Sequence, residues 1–157
     1  MSTRTAQATR ALKVIPSDYC DIPYPDLMCS GSTEPVSIGN ILVDAEVLPI
    51  DFYSLGVSSG DIVYFAAGIA GSVIRVISSS SLELNIEVPQ GSQPYDIYKG
   101  GQNRGCTLYI GNVGDIVMTA AGDSEPTTVL IPPQIFPVQV KKIWSNGTSA
   151  QDIIALW

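Results

Sequence analysis

From Val36 to Gly100 the apolar residues never recur with a helical period; they come in short β-favouring runs separated by turn formers. The runs are Ile38 to Val43, Asp61 to Phe65, Ser72 to Ile77, Leu82 to Val88 and Tyr95 to Tyr98. Between them stand Gly39-Asn40, Ser59-Gly60, Gly68 to Gly71, Ser78 to Ser81 and Pro89-Gln90-Gly91. A chain that reverses this often has room only for strands and tight connections. In one run Leu82, Leu84, Ile86 and Val88 alternate with Glu83, Asn85 and Glu87, the period of a strand with one buried face. Gly60 to Tyr64 followed by Gly71 to Ile77 predicts one hairpin. Residues 32–100 are therefore expected to form a small antiparallel barrel or sandwich.

A second unit is expected over residues 101–157, after a flexible junction at Gly100 to Gly105. Its strands are predicted near Thr107 to Ile110, Asp115 to Thr119, Thr127 to Ile131, Pro137 to Trp144 and Asp152 to Trp157. So small a sheet needs a partner face, from the first unit or from another subunit. Gly111-Asn112-Val113-Gly114 reads as a hairpin turn. Ile143 to Trp157 reads as a strand, a tight Asn146-Gly147 turn and a closing strand that ends inside its own sheet. Ile153, Ile154, Leu156 and Trp157 then have to be covered by the domain or by a partner.

Residues 1–31 differ from both units. Pro16, Pro23 and Pro25 exclude helix and central strand, which predicts an extended N-terminal arm. A turn or two of helix fits only near Ala6 to Leu12. The apolar residues of the arm, among them Tyr19, Tyr24, Leu27 and Met28, need a surface to lie on, their own body's or a neighbour's. The fold expectation is thus all-β: an arm, then two small antiparallel β modules.

Charge sorts the functions open to such a chain. The net charge is −7, yet residues 1–13 carry Arg4, Arg10 and Lys13 and no acid, while residues 14–98 carry eleven acids against Arg75 alone. An acidic body repels nucleic acid, so none is expected as a partner. The basic arm suits a tail that orders on an acidic partner surface, with a merely solvated terminus as the alternative. Only 15% of residues are charged against 45% hydrophobic, which predicts a packed core and a surface partly covered by neighbouring chains. No run of apolar residues is long enough for a membrane helix, and Met1 to Leu12 lacks the apolar stretch of a secretory signal, so a soluble chain is expected. Cys20, Cys29 and Cys106 have neither zinc-ligand spacing nor an even count; reduced thiols are expected, with a Cys20 to Cys29 bridge as the alternative.

The chain contains no histidine, so no Ser-His-Asp, Cys-His or His-ligated metal site can exist. Asp44, Glu46 and Asp51 are close enough in sequence to be weighed as a catalytic carboxylate pair or as calcium ligands. Solvated surface carboxylates are the better reading, because no calcium-loop spacing is present and acids are abundant in this half. Gly111 to Gly114 lacks the Lys-Ser/Thr of a phosphate loop, and Asn146-Gly147-Thr148 is turn chemistry rather than a glycosylation site. No cofactor and no metal are expected. Tyr19, Tyr24, Tyr53, Tyr64, Tyr95, Tyr98 and Tyr109 could line a sugar-binding face, but strand tyrosines more often pack or anchor interfaces.

The closing segment carries a resemblance. Ile135-Phe136-Pro137-Val138-Gln139-Val140-Lys141-Lys142, together with Asn146-Gly147-Thr148-Ser149-Ala150-Gln151-Asp152-Ile153-Ile154-Ala155-Leu156-Trp157, resembles the ending of a family of tailed-phage virion proteins. That family includes head-spike base proteins of phage-like gene transfer particles and structural proteins of marine phages. Cys106 to Gly111 leading into Gly114 to Met118 is similar to the strand pair preceding this ending. The resemblance covers the last third of the chain. It departs at Asn146 to Ser149, where Thr-Gly-Thr-Thr is usual, and at Pro132-Pro133-Gln134, where a Gly-containing turn is commoner. It implies a non-enzymatic virion protein on the outer capsid surface, a decoration or head-spike base. Its implied partners are the major capsid protein, further copies of itself as a trimer or pentamer, and another spike or fibre protein. A tail, baseplate or fibre component and a carbohydrate-binding module are the alternatives. The interface candidates are Arg4, Arg10, Lys13, Tyr19 and Tyr24 in the arm, with Trp144 and Trp157 at the other end.

Overall fold

A computed structural model describes residues 8–46, 48 and 50–157. These form twelve β-strands and no helix among the described residues. In chain order they are β1 (Ala11–Lys13), β2 (Leu27–Ser32), β3 (Ile41–Val43), β4 (Ile62–Phe65), β5 (Ile69–Ser78), β6 (Ser81–Leu84), β7 (Pro94–Tyr98), β8 (Cys106–Asn112), β9 (Gly114–Ala120), β10 (Thr127–Ile131), β11 (Gln134–Ile143) and β12 (Gln151–Leu156). They make two six-stranded antiparallel sheets, so the fold is all-β with two β modules.

The sheet in the order β2-β7-β4-β5-β6-β3 curls back on itself. Beyond β2 and β3 its two ends meet at a Thr33–Asp44 bridge, where Glu34 N–H donates to Val43 O and Ala45 N–H to Ser32 O, both at 2.9 Å. The predicted β4–β5 hairpin is present, with Ile62 opposite Ser72 and Phe65 opposite Ile69. Its core is Leu42, Phe52, Val57, Val63, Phe65, Val73, Leu82, Leu84, Ile86, Val88, Tyr95 and Ile97. The alternation from Leu82 to Val88 persists in burial although β6 ends at Leu84. There the Asn85 amide still donates to Ser72 O at 3.0 Å, but its side-chain oxygen, not its carbonyl, takes the Ser72 amide at 2.8 Å.

The other sheet runs β1-β12-β8-β11-β9-β10 over a core of Leu108, Ile110, Ile116, Met118, Ile131, Val140, Ile143, Ile153 and their neighbours. Two expectations fail here. The Asn146-Gly147 turn exists, with Gly147 at φ +90°, but it does not join neighbouring strands: β8 lies between β11 and β12. Nor is Gly111 to Gly114 a hairpin turn, since β11 separates β8 from β9. One cause serves for both. β11 is long and irregular, pairing with β8 through Gln134 to Phe136 and again at Val140, and with β9 through Val140 to Ile143, so it occupies the space a hairpin partner would fill.

Among its described residues the predicted arm is neither helical nor detached. Residues 8–10 hold no regular structure, and where a helical turn was expected to end, β1 pairs with β12; Ala6 and Gln7 lie outside the described residues. β2 pairs with β7, so the segment supplies one edge strand to each sheet, as its prolines permit. Between them Val14 to Asp26 is a strap held by both modules. Val14, Ser17 and Ile22 donate their amides to Ile153, Ile143 and Lys141 of the β11–β12 sheet at 2.8–2.9 Å. On the barrel side Ser17 Oγ donates to Ala70 O at 2.7 Å and Asn85 Nδ2 to Tyr19 O at 2.9 Å. Cys20 packs with Ile62, Tyr64, Ala70 and Tyr98, backed by Leu12 and Ile15. The strap explains why all four residues of β4 are buried: Val63 and Phe65 face the barrel core, Ile62 and Tyr64 face the strap.

The junction expected to be flexible is pinned. Gly100 N–H donates to Asp61 Oδ1 at 3.0 Å, Asn103 Nδ2 to Ile22 O at 2.9 Å, and a Cβ on Gly100 would stand 1.9 Å from the Gly60 carbonyl oxygen. Cys20 and Cys29 are free thiols, not a bridge.

Candidate interaction surface

Three of the interface candidates come together. The Arg10 guanidinium lies 5.3 Å from the Tyr24 ring centroid, and Tyr24 meets Trp157 edge-on at 5.5 Å. Arg10 and Trp157 also exchange backbone bonds of 3.2 and 3.0 Å, and Trp157 Nε1 donates to Asn103 Oδ1 at 3.2 Å. This cluster fastens the end of the strap, at Tyr24, to Arg10 ahead of β1 and to Trp157 after β12. The remaining candidates are dispersed. Trp144 donates Nε1 to Thr119 Oγ1 at 3.0 Å beneath Lys142 Nζ, which sits 3.7 Å above its ring. Lys13 makes an exposed ion pair with Asp152 at 3.8 Å, Tyr19 is 61% exposed with no aromatic neighbour among the described residues, and Arg4 lies outside the described residues.

The carboxylates weighed for chemistry do not converge. Asp44 is buried and accepts from Tyr95 Oη at 2.8 Å; Glu46 is exposed; Asp51 caps the turn at Tyr53 and Ser54. The Ser54 hydroxyl, 2.6 Å away, leads the causes that lower the Asp51 carboxyl. Among the described residues no three His, Cys, Asp or Glu side chains cluster as a metal site. Burial pushes the thiols up, Cys20 and Cys29 to about 11 and Cys106 to about 12, so all three stay neutral at physiological pH. The tyrosines share no face, because Tyr64, Tyr95 and Tyr98 are interior while Tyr19, Tyr53 and Tyr109 are exposed at separate places.

Sequence reasoning missed one apolar surface. On the outer face of the β11–β12 sheet the register puts Ile154 of β12 opposite Tyr109 of β8, and Tyr109 opposite Ile135 of β11. Tyr109 is 42% and Ile135 60% exposed. Beside this row a groove of about 310 Å³, lined by Thr107, Ile135, Gln139, Leu156 and Trp157, leads to the Arg10–Tyr24–Trp157 cluster. Leu130 of β10 is 68% exposed on the same sheet. Alternation in Cys106 to Ile110 marks Tyr109 as outward, but pairing it with Ile135 requires knowing that β8 and β11 are neighbours. Comparison with family models, with curated proteins and with solved structures finds no match to this chain. No helix among the described residues is long and apolar enough to cross a membrane.

Proposed function

We propose that this protein is a non-enzymatic structural component of a tailed-phage virion, attached to the outer capsid surface as a decoration or head-spike base. The observation that carries the reading is the outer face of the β11–β12 sheet: exposed Tyr109 and Ile135, flanked by half-buried Ile154, beside a groove that ends at Trp157. Exposed apolar area of this kind, on a sheet with an edge unpaired among the described residues, suits contact with a partner. The same strands hold the residues that resemble the virion family, and a chain without histidine has few routes to hydrolysis. The major capsid protein is the proposed partner, with further copies of this chain and a spike or fibre protein as neighbours. Arg10, Tyr24 and Trp157 already hold one another, so they shape the contact surface rather than reach out from it.

Co-sedimentation of the purified protein with tailless heads, and separately with isolated tails, tests the proposal. Saturable binding to heads that is lost in Tyr109→Asp and Ile135→Asp is the expected result. Binding to tails alone would move the protein to the adsorption apparatus, and binding to neither, with capture on a glycan array, would make it a carbohydrate-binding module.

A further inference from the structure

β10 is the outermost strand of its sheet and, among the described residues, pairs only with β9. Which of its backbone groups face the open side follows from β9. Val117 accepts the Trp144 amide at 2.8 Å and donates its own amide to Thr148 Oγ1 at 3.0 Å; Asp115 accepts the Ser149 and Ala150 amides at 2.9 and 3.2 Å. N–H and C=O of one residue point to the same side of an antiparallel strand, and the side alternates along it. Ile116 therefore faces β10, opposite Val129, and Met118 faces Thr127. Thr128 and Leu130 are left aiming their N–H and C=O outward, with no hydrogen-bond partner among the described residues.

Nothing on the strand guards this edge. Natural edge strands carry lysine or another charge to refuse added strands. Here the chain is uncharged from Pro126 to Val140, in a protein of net charge −7. Pro126 and Pro132 bound β10 on either side, which limits the length of any added ladder without blocking its centre.

We infer that two copies of this chain pair antiparallel through β10, on a two-fold axis at Val129. In that register Thr128 of each copy faces Leu130 of the other, and these are the residues whose backbone groups point outward. Val129 meets Val129 on the inner face, where it already packs against the core, and Leu130 covers Thr128 of the second copy on the outer face. Glu125 of one copy falls beside the uncharged Pro133 of the other, so two acidic molecules meet without opposing carboxylates. An isologous edge contact closes at two copies, in contrast to the trimer or pentamer expected from capsid symmetry axes. The pairing is a property of the free protein and does not depend on attachment to a head.

Sedimentation velocity over a range of concentrations, with two variants, tests it. The wild-type chain is expected to show a reversible monomer–dimer equilibrium. Thr128→Pro removes an N–H that the monomer does not use, so it should fold with an unchanged circular dichroism spectrum while weakening the dimer by about tenfold or more. Val129→Cys should cross-link to itself under mild oxidation and Leu130→Cys should not, because only position 129 meets its own copy. A wild-type monomer at every concentration, or a dimer indifferent to Thr128→Pro, overturns the pairing. So does a Thr128-insensitive trimer or pentamer. Should Thr128→Pro not fold, absence of the Val129→Cys cross-link decides against it. Head binding, measured separately, stands whichever way these results fall.

Discussion

The two sheets have the same number of strands but finish differently. The barrel sheet satisfies its own ends through Thr33 and Asp44, and the strap covers its outer face at Ile62, Tyr64, Ala70 and Tyr98. The β11–β12 sheet takes the strap's backbone bonds on one side, yet leaves an apolar row across its outer face and an uncharged edge at β10. The modules thus divide by their edges. The barrel ties its own ends together, although Ile69, Ile74 and Ile77 stay exposed on β5, and the other sheet leaves the outer edge of β10 unpaired among the described residues, beside its apolar row.

Substitutions that respect or violate this division should differ widely in cost. Phe52 is fully buried in the barrel core, and Phe52→Ala should destabilise by about 3–5 kcal/mol in urea unfolding. A loss below about 1 kcal/mol would mean that the barrel is not the rigid half. Asp61, 2% exposed, gathers the amides of Ser58 and Gly100 and the Lys99 ammonium at 3.2 Å. Asp61→Ala strands those donors and should cost about 2–3 kcal/mol, the lower part of the range for charged networks because Lys99 keeps access to water. Asn at this position, which preserves an acceptor, should recover part of the loss.

On the open module the same chemistry should cost almost nothing. Leu130→Lys should leave unfolding within about 0.5 kcal/mol of the wild type while abolishing dimerisation, since it adds the missing edge charge. A large thermal destabilisation of this variant would show that Leu130 belongs to the fold and not to a contact surface. The smallest effect concerns the strap. The Asn146 amide at 3.1 Å leads the causes that hold the Asp18 carboxyl below its ordinary 3.8. A lowered folded-state value means the contribution is complete above about 3.8 and is lost as pH falls through the folded value. The melting-temperature gap between wild type and Asp18→Asn should therefore be small at neutral pH and vanish in acid. A gap that widens in acid contradicts the assignment.

The strands themselves were legible in the sequence, because period-two alternation and Gly, Pro and Ser punctuation are local signals. Each run from Asp61 to Tyr98 and from Thr107 to Trp157 overlaps a strand. Neighbour relations were not legible. β8 and β9 are consecutive and β11 and β12 are joined by an Asn-Gly turn, yet neither pair is adjacent, since the irregular β11 satisfies β8 and β9 together. β1 and β2 escaped notice for another reason. A three-residue strand, and a strand containing Cys29, Ser30 and Gly31, exist only because a long-range partner selects them. The site was half visible: Arg10, Tyr24 and Trp157 do cluster, but the Tyr109–Ile135 contact depends on register.

The strap also orders events in time. Every strand of the barrel sheet lies between Leu27 and Tyr98, so the barrel can close on the ribosome while the other sheet is still being made. Asp18 is synthesised early but waits for Lys142 and Asn146, 124 and 128 residues downstream. The strap that covers Ile62, Tyr64 and Tyr98 is itself held by β11 and β12, so this cover is expected to be complete only once they emerge. A nascent chain should therefore bind a hydrophobic dye or a chaperone through most of its synthesis and lose that affinity only when β11 and β12 arrive. Arrested chains of increasing length would show a late, abrupt drop; a gradual decline would mean that the strap docks without them.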